Sequence, residues 1–257
     1  MSRLEDLIRK LKAREPVLST TISNIAWSGL AQKMAAFPFD FIVLDEEHGT
    51  LSTESAEEIL RVCRLCDLPT IVRIGNAVPN IISKTLDMGA DGLMIPRVER
   101  LEQMETAITY ARYYPRGRKG CGGFSNLRGE DRGSVEVYND NRLLMPQIES
   151  YEGLKILPEM LKRYGDEIAC VLIGPYDASI MVGTPLDIAS EKMKAFIREV
   201  FDTCKAAGKS CGIFVDDASM ISMYRDMGAN VFWTGTEISL ICEALSNLCQ
   251  TFAKETK

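Results

Sequence analysis

A chain of 257 residues with 46% hydrophobic and 26% charged residues can bury a large core, which excludes a disordered or fibrous polypeptide. Its net charge of −6 argues against a nucleic-acid surface, which needs clustered positive charge to neutralise phosphates. No apolar run approaches bilayer length, so no membrane partner is expected.

Residues 1–16, MSRLEDLIRKLKAREP, set Leu4, Leu7, Ile8 and Leu11 at helical spacing among mixed charges. That pattern predicts an amphipathic helix rather than a signal or transit peptide. Eight β-rich runs follow, at 17–23, 39–45, 69–75, 91–98, 142–150, 168–175, 210–217 and 230–237. Amphipathic stretches such as 52–66, 78–90, 151–165 and 190–208 separate them. Ser52 or Thr53 is a candidate cap for the first of these, and DMGAD (87–91) and DMGAN (226–230) read as helix ends stopped by glycine. Eight such alternations, with no Gly-rich first turn, predict an α/β fold: a (β/α)8 TIM barrel, one domain over 1–257, with an extra N-terminal helix. Residues 112–133 break the rhythm with five arginines, one lysine and six glycines, and they read as a long functional or subunit-facing loop, too polar for the core.

Eight cysteines without a secretory signal read as reduced thiols of a cytoplasmic protein. Cys63 and Cys66 have redox or zinc spacing but lie at a helix end and lack a second pair, which favours a structural role. Cys242 and Cys249, seven apart on the last helix, read as one core stripe.

In a barrel of this kind the chemistry sits where the strands end. The second strand ends in Asp45, Glu46, Glu47 and His48, the only histidine; the third carries Arg73; the fifth ends in Gln147 and Glu149. The sixth ends in Gly174, Pro175, Tyr176 and Asp177, and the seventh in Asp216 and Asp217, either of which could instead cap a helix. Glu149 and Asp177, on adjacent strands, are the expected ligands of one hard divalent cation that leaves room for substrate. Arg73 and His48 would flank it, a mouth suited to a small oxoacid whose keto oxygen is polarised and whose enolate is stabilised. Asp45, three residues before His48, is expected to orient the ring as a general base.

Asp45-x-Glu47-His48, Arg73, LDMGADGLMIPRV, PQIES and IGPYDAS, in that order, resemble the HpcH/HpaI family of class II pyruvate aldolases. The resemblance runs from about Val17 to the last helix. It implies a metal-dependent lyase that cleaves or forms a 4-hydroxy-2-oxo acid, to or from pyruvate and an aldehyde, through a metal-bound enolate. The implied cofactor is Mg2+, Mn2+ or Co2+ on Glu149 and Asp177, with Gln147, Gly174, Pro175, Tyr176 and Asp177 around the substrate. The resemblance makes Arg73 the stabiliser of the enolate and His48, polarised by Asp45, the base. It also implies that Asp87 assists from a neighbouring subunit, in a homohexamer built as a trimer of dimers that exchange their C-terminal helix region. The chain departs from the family pattern where Asp177 is followed by Ala178 and Ser179, and in the loop GCGGFSNLRGEDRG. Two other readings follow: a citrate-forming step on an oxoacid, its polyanionic partner held by the loop cations, and a barrel that binds a metabolite without catalysis.

Overall fold

The structure, a computed structural model, describes residues 1–256. All eight expected strands form: β1 (Val17–Ile22), β2 (Phe41–Asp45), β3 (Thr70–Arg73), β4 (Gly92–Ile95), β5 (Leu143–Pro146), β6 (Cys170–Ile173), β7 (Ser210–Val215) and β8 (Val231–Thr236). Every ladder is parallel, in the order β5-β4-β3-β2-β1-β8-β7-β6. Two bridges, Leu144 to Ile168 and Gln147 to Leu172, join β5 to β6 and close the ring. The chain is a (β/α)8 TIM barrel.

The helices are α1 (Arg3–Ala13), α2 (Gly29–Met34), α3 (Thr53–Leu65), α4 (Pro79–Asp87), α5 (Leu101–Ala111), α6 (Val135–Asn141), α7 (Tyr151–Tyr164), α8 (Pro175–Val182), α9 (Glu191–Ala206), α10 (Ile221–Met227) and α11 (Glu237–Glu255). Ser52 caps α3 by accepting the Ser55 N–H, and Gly89 and Gly228 adopt positive φ where α4 and α10 stop, as the sequence predicts. None of the helices is long and apolar enough to cross a membrane among the described residues.

Period-two alternation divides the strand side chains between two cores. Phe41, Val43, Ile71, Met94, Met145, Leu172 and Trp233 fill the barrel, and Leu4, Leu7 and Leu11 of α1 plug its N-terminal end. Ile42, Leu44, Val72, Leu93, Leu144, Val171 and Ile213 face outward under the ring of helices. This phase decides what the mouth contains. Asp45, Arg73, Gln147, Glu149 and Gly174 each continue the inward series of their own strand.

Two expectations are corrected. The 112–133 segment is not wholly too polar for the core: Arg112, Lys119 and Arg128 are buried and, with Arg116, engaged by carboxylates, while Arg118 and Arg132 stay exposed. Arg128 is 7% exposed and paired with Asp91 and Asp67, Arg112 and Arg116 share Glu167, and Lys119 donates to Asp87. Only the combination of burial with a matched carboxylate makes such cations tolerable inside, and sequence distances of 32 to 61 residues hide those partners. Cys242 and Cys249 are exposed rather than core, because α11 leaves the barrel wall after β8 and presents its sides outward. All eight cysteines are free, and burial pushes Cys63 up to about 12, consistent with an inert structural thiol.

Candidate active site

The mouth is built on the register of β2 against β3, which places Asp45 beside Arg73. Their side chains, 4% and 10% exposed, form a two-pronged pair: Arg73 Nε donates to Asp45 Oδ1 at 2.8 Å and Nη2 to Oδ2 at 2.5 Å. Burial by itself raises the Asp45 carboxyl, but the guanidinium, helped by the Glu47 and His48 backbone N–H groups, outweighs it and holds the acid below its ordinary range. Arg73 Nη1 stays clear of Asp45, 3.6 Å from Glu47 Oε2, and the guanidinium lies 5.1 Å from the centre of the Trp233 ring.

Asp45 meets His48 through the backbone: Oδ1 accepts the His48 main-chain N–H at 3.3 Å, as it accepts that of Glu47 at 3.0 Å. The imidazole itself is half exposed. Its Nε2 stands 3.9 Å from Asp177 Oδ2 and 3.9 Å from Glu47 Oε2. The turn is tightly seated, since a Cβ on Gly49 would lie 2.0 Å from the Asp45 carbonyl oxygen. Asp45 therefore fixes the turn that carries His48 rather than gripping its ring.

Gln147 and Glu149 lie past the end of β5, 0% and 2% exposed, and Gln147 Nε2 donates to Glu149 Oε1 at 2.8 Å. Gln147 Oε1 is buried with no hydrogen-bond partner. Glu149 Oε2 accepts the N–H of Arg97, a non-glycine residue held at φ 46°. Burial, followed by the nearby Asp177 charge, pushes Glu149 up to about 8. A buried acid so short of positive charge, beside a second carboxylate and an unsatisfied amide oxygen, fits a hard divalent cation. Among the described residues no group of three or more His, Cys, Asp or Glu side chains could hold a metal, and the carboxylates beside the unpartnered Gln147 oxygen are those of Glu149 and Asp177.

Gly174 is required here. A Cβ at this position would lie 2.2 Å from Glu149 Oε1 and 3.2 Å from Gln147 Nε2. Pro175 opens α8, which leaves the Tyr176 and Asp177 N–H groups without intrahelical partners at the edge of the mouth, a ready seat for a carboxylate. The Tyr176 hydroxyl donates to Asp216, while Asp217 caps the turn at 218–220 by accepting the Ser219 N–H at 2.8 Å. Of those two acids, Asp217 thus takes the capping role.

The resulting cavity, about 160 Å3, is walled on one side by Asp45, His48, Arg73 and Asp177 and on the other by Tyr176, Phe214 and Trp233. Trp233 and Phe214 are not among the residues the strand ends point to, and Glu47 enters there only as part of a motif; the inward phase of β8 marks Trp233. Asp87 does not join this group. It ends α4 and is bonded to Lys119.

A closed parallel barrel whose C-terminal mouth gathers a guanidinium, an imidazole and two carboxylates belongs to the class of barrel enzymes that act on small anionic substrates. The model of the HpcH/HpaI aldolase/citrate lyase family matches residues 23–244. A hydroxypyruvate/pyruvate aldolase of Roseovarius nubinhibens is 30% identical over 89% of this chain and 90% of its own. A 2-keto-3-deoxy-L-rhamnonate aldolase of Salmonella gallinarum is 28% identical over 88% of this chain and 85% of its own. The crystal structure of the citrate synthase SbnG superposes with a TM-score of 0.84 at 24% identity, covering 98% of this chain and 99% of that one, a likeness of fold. The chain belongs to the HpcH/HpaI aldolase/citrate lyase family, as its ordered strand-end motifs imply.

Proposed function

We propose that the chain is a metal-dependent carbon–carbon lyase that cleaves or forms a 4-hydroxy-2-oxo acid, to or from pyruvate and an aldehyde. One observation carries this reading: Asp177, the Arg73 guanidinium and the His48 ring line one cavity, and Glu149, which feels the charges of Asp177 and Arg73, lies buried just behind Gly174 in its wall. The relatives named as aldolases support it.

When bound by Glu149 and Asp177, Mg2+, Mn2+ or Co2+ supplies positive charge that polarises the keto oxygen. The chain's own groups do the rest. The Tyr176 and Asp177 N–H groups receive the substrate carboxylate, and Gln147 Oε1 completes the polar floor. His48 Nε2 takes the proton of the C4 hydroxyl, the C3–C4 bond breaks, and the electron pair becomes the enolate of pyruvate. Arg73, through the Nη1 that Asp45 leaves free, stabilises the enolate oxygen. The aldehyde leaves past the aromatic wall.

The test is a product assay on pyruvate and short aldehydes with Mg2+, Mn2+ or Co2+, repeated in EDTA. Product without metal would refute the reading. His48→Ala is expected to lower the aldol rate by roughly 10²- to 10⁴-fold, the usual worth of a general base. An unchanged rate removes His48 from the mechanism.

The citrate-forming alternative relied on the loop cations to hold a polyanion. Arg112, Arg116, Lys119 and Arg128 are engaged by carboxylates, which leaves Arg118 and Arg132, both exposed and without an ion pair among the described residues, for that role, and the likeness to the citrate synthase SbnG keeps the reading as the alternative.

We also assign the protein to a homohexamer, a trimer of dimers. Ile238, Ile241, Leu245, Leu248 and Phe252 repeat at helical spacing on α11 and are 41%, 44%, 56%, 66% and 68% exposed, an apolar stripe suited to a second copy. Asp87, away from the mouth of its own chain, would then assist His48 of a neighbour. Light scattering reads the assembly directly, and a monomer would sink it.

A further inference from the structure

The end of the barrel opposite the mouth holds a second cavity, of about 200 Å3. It opens where β5, β6 and β7 begin, beside Leu143, Ala169 and Ser210, and α1 covers it with Ile8, Leu11 and Lys12. Its lining is cationic: Lys12, Arg112, Arg116, Arg142 and Lys209, against the carboxylates of Asp140, Asp166 and Glu167.

The neutralisation of this cluster is incomplete. Glu167 serves two guanidiniums, accepting from Arg112 Nε at 2.8 Å and from Arg116 Nε and Nη2 at 2.9 and 2.8 Å. Arg116 also pairs with Asp140, and Arg142 with Asp131, which stands outside the lining. Even with Asp131 included, five cations face four carboxylates. Arg112 is 2% exposed and its Nη1 has no partner; Arg142 is 3% exposed and its Nε has none. Lys12 and Lys209 form no ion pair among the described residues. Unsatisfied buried guanidinium N–H groups cost stability unless something answers them, so their retention beside a cavity points to a ligand that supplies negative charge. Ile8, Leu11, Leu143 and Ile168 give the other side an aliphatic face.

We propose that this cavity binds a small organic oxyanion, a carboxylate or phosphate group on a short apolar stem, at a site separate from the catalytic mouth. Lys12 and Lys209 close over the charged group and α1 meets the stem. The proposal does not depend on the reaction assigned to the mouth.

Titration calorimetry with propyl phosphate and with butyrate, in EDTA and at ionic strength held constant with chloride, tests it. Saturable binding at one site per chain is expected for at least one probe, and the stronger of the two identifies the charged group. Lys12→Ala/Lys209→Ala, at two surface-accessible positions, should weaken that binding roughly tenfold or more while leaving the melting temperature and the anion-free aldol rate unchanged. Arg112→Met is the second variant and should abolish it. Absence of saturable binding of either probe overturns the proposal. Binding that survives both variants places the anion at the mouth and overturns it equally.

Discussion

Glu149→Gln is expected to remove metal-dependent turnover while leaving the fold intact. The amide is nearly isosteric, so the inward phase of β5 is kept, and its oxygen still accepts the Arg97 N–H that Glu149 accepts at 3.1 Å. What disappears is one of only two candidate anionic ligands, and two carboxylates leave no redundancy. Loss of the cation withdraws several kcal/mol of enolate stabilisation, or roughly 10³-fold in rate and more. Because burial and the Asp177 charge push Glu149 up to about 8, the metal-free site holds a largely neutral carboxyl near neutral pH that the amide replaces without loss, so the metal-free melting temperature should hold or rise. Asp177→Asn should lose metal in the same way with less effect on stability, because Asp177 is 40% exposed. Calorimetric titration with Mn2+ alongside the aldol assay separates these outcomes. If Glu149→Gln bound Mn2+ as tightly as the parent chain, Glu149 would not be a ligand.

The barrel was legible because its two periodicities are local. Alternating β runs and 3.6-residue helical patterns need only short windows, and all eight strands lie within the runs read from the sequence. The short helices α2, α6 and α8 were less visible, since six to eight residues hold too few turns to show a stripe. Strand ends gave the site by the same route: Arg73, Gln147 and Glu149 follow inward core residues two by two. Long-range pairing carries no such signature. That Asp45 grips Arg73 rather than the His48 ring follows from the register of β2 and β3, a tertiary fact. The partners of the buried loop cations are hidden for the same reason. Arg128 meets Asp91 37 residues away, and nothing near 128 announces it.

The pairing of Arg73 with Asp45 makes the second large prediction separable into chemistry and stability. Arg73→Lys keeps a positive charge but not the planar fork, so it cannot hold both Asp45 oxygens and still direct Nη1 at the substrate. The aldol rate should fall about 10²- to 10³-fold, the loss seen when one donor to a developing oxyanion is removed. Arg73→Met goes further and strands Asp45, a carboxylate whose side chain is 4% exposed, without its partner. Breaking a buried pair from one side costs about 3–5 kcal/mol, or about 10 °C in melting temperature for a chain of this size. Adding Asp45→Asn to Arg73→Met removes the stranded charge, so stability should return. Activity should not, because the enolate oxygen still lacks its guanidinium. Calorimetric melting curves and rates on the three variants decide the matter. Recovery of turnover in the double variant would show that Arg73 serves only to neutralise Asp45, and the role assigned to it at the enolate would fall.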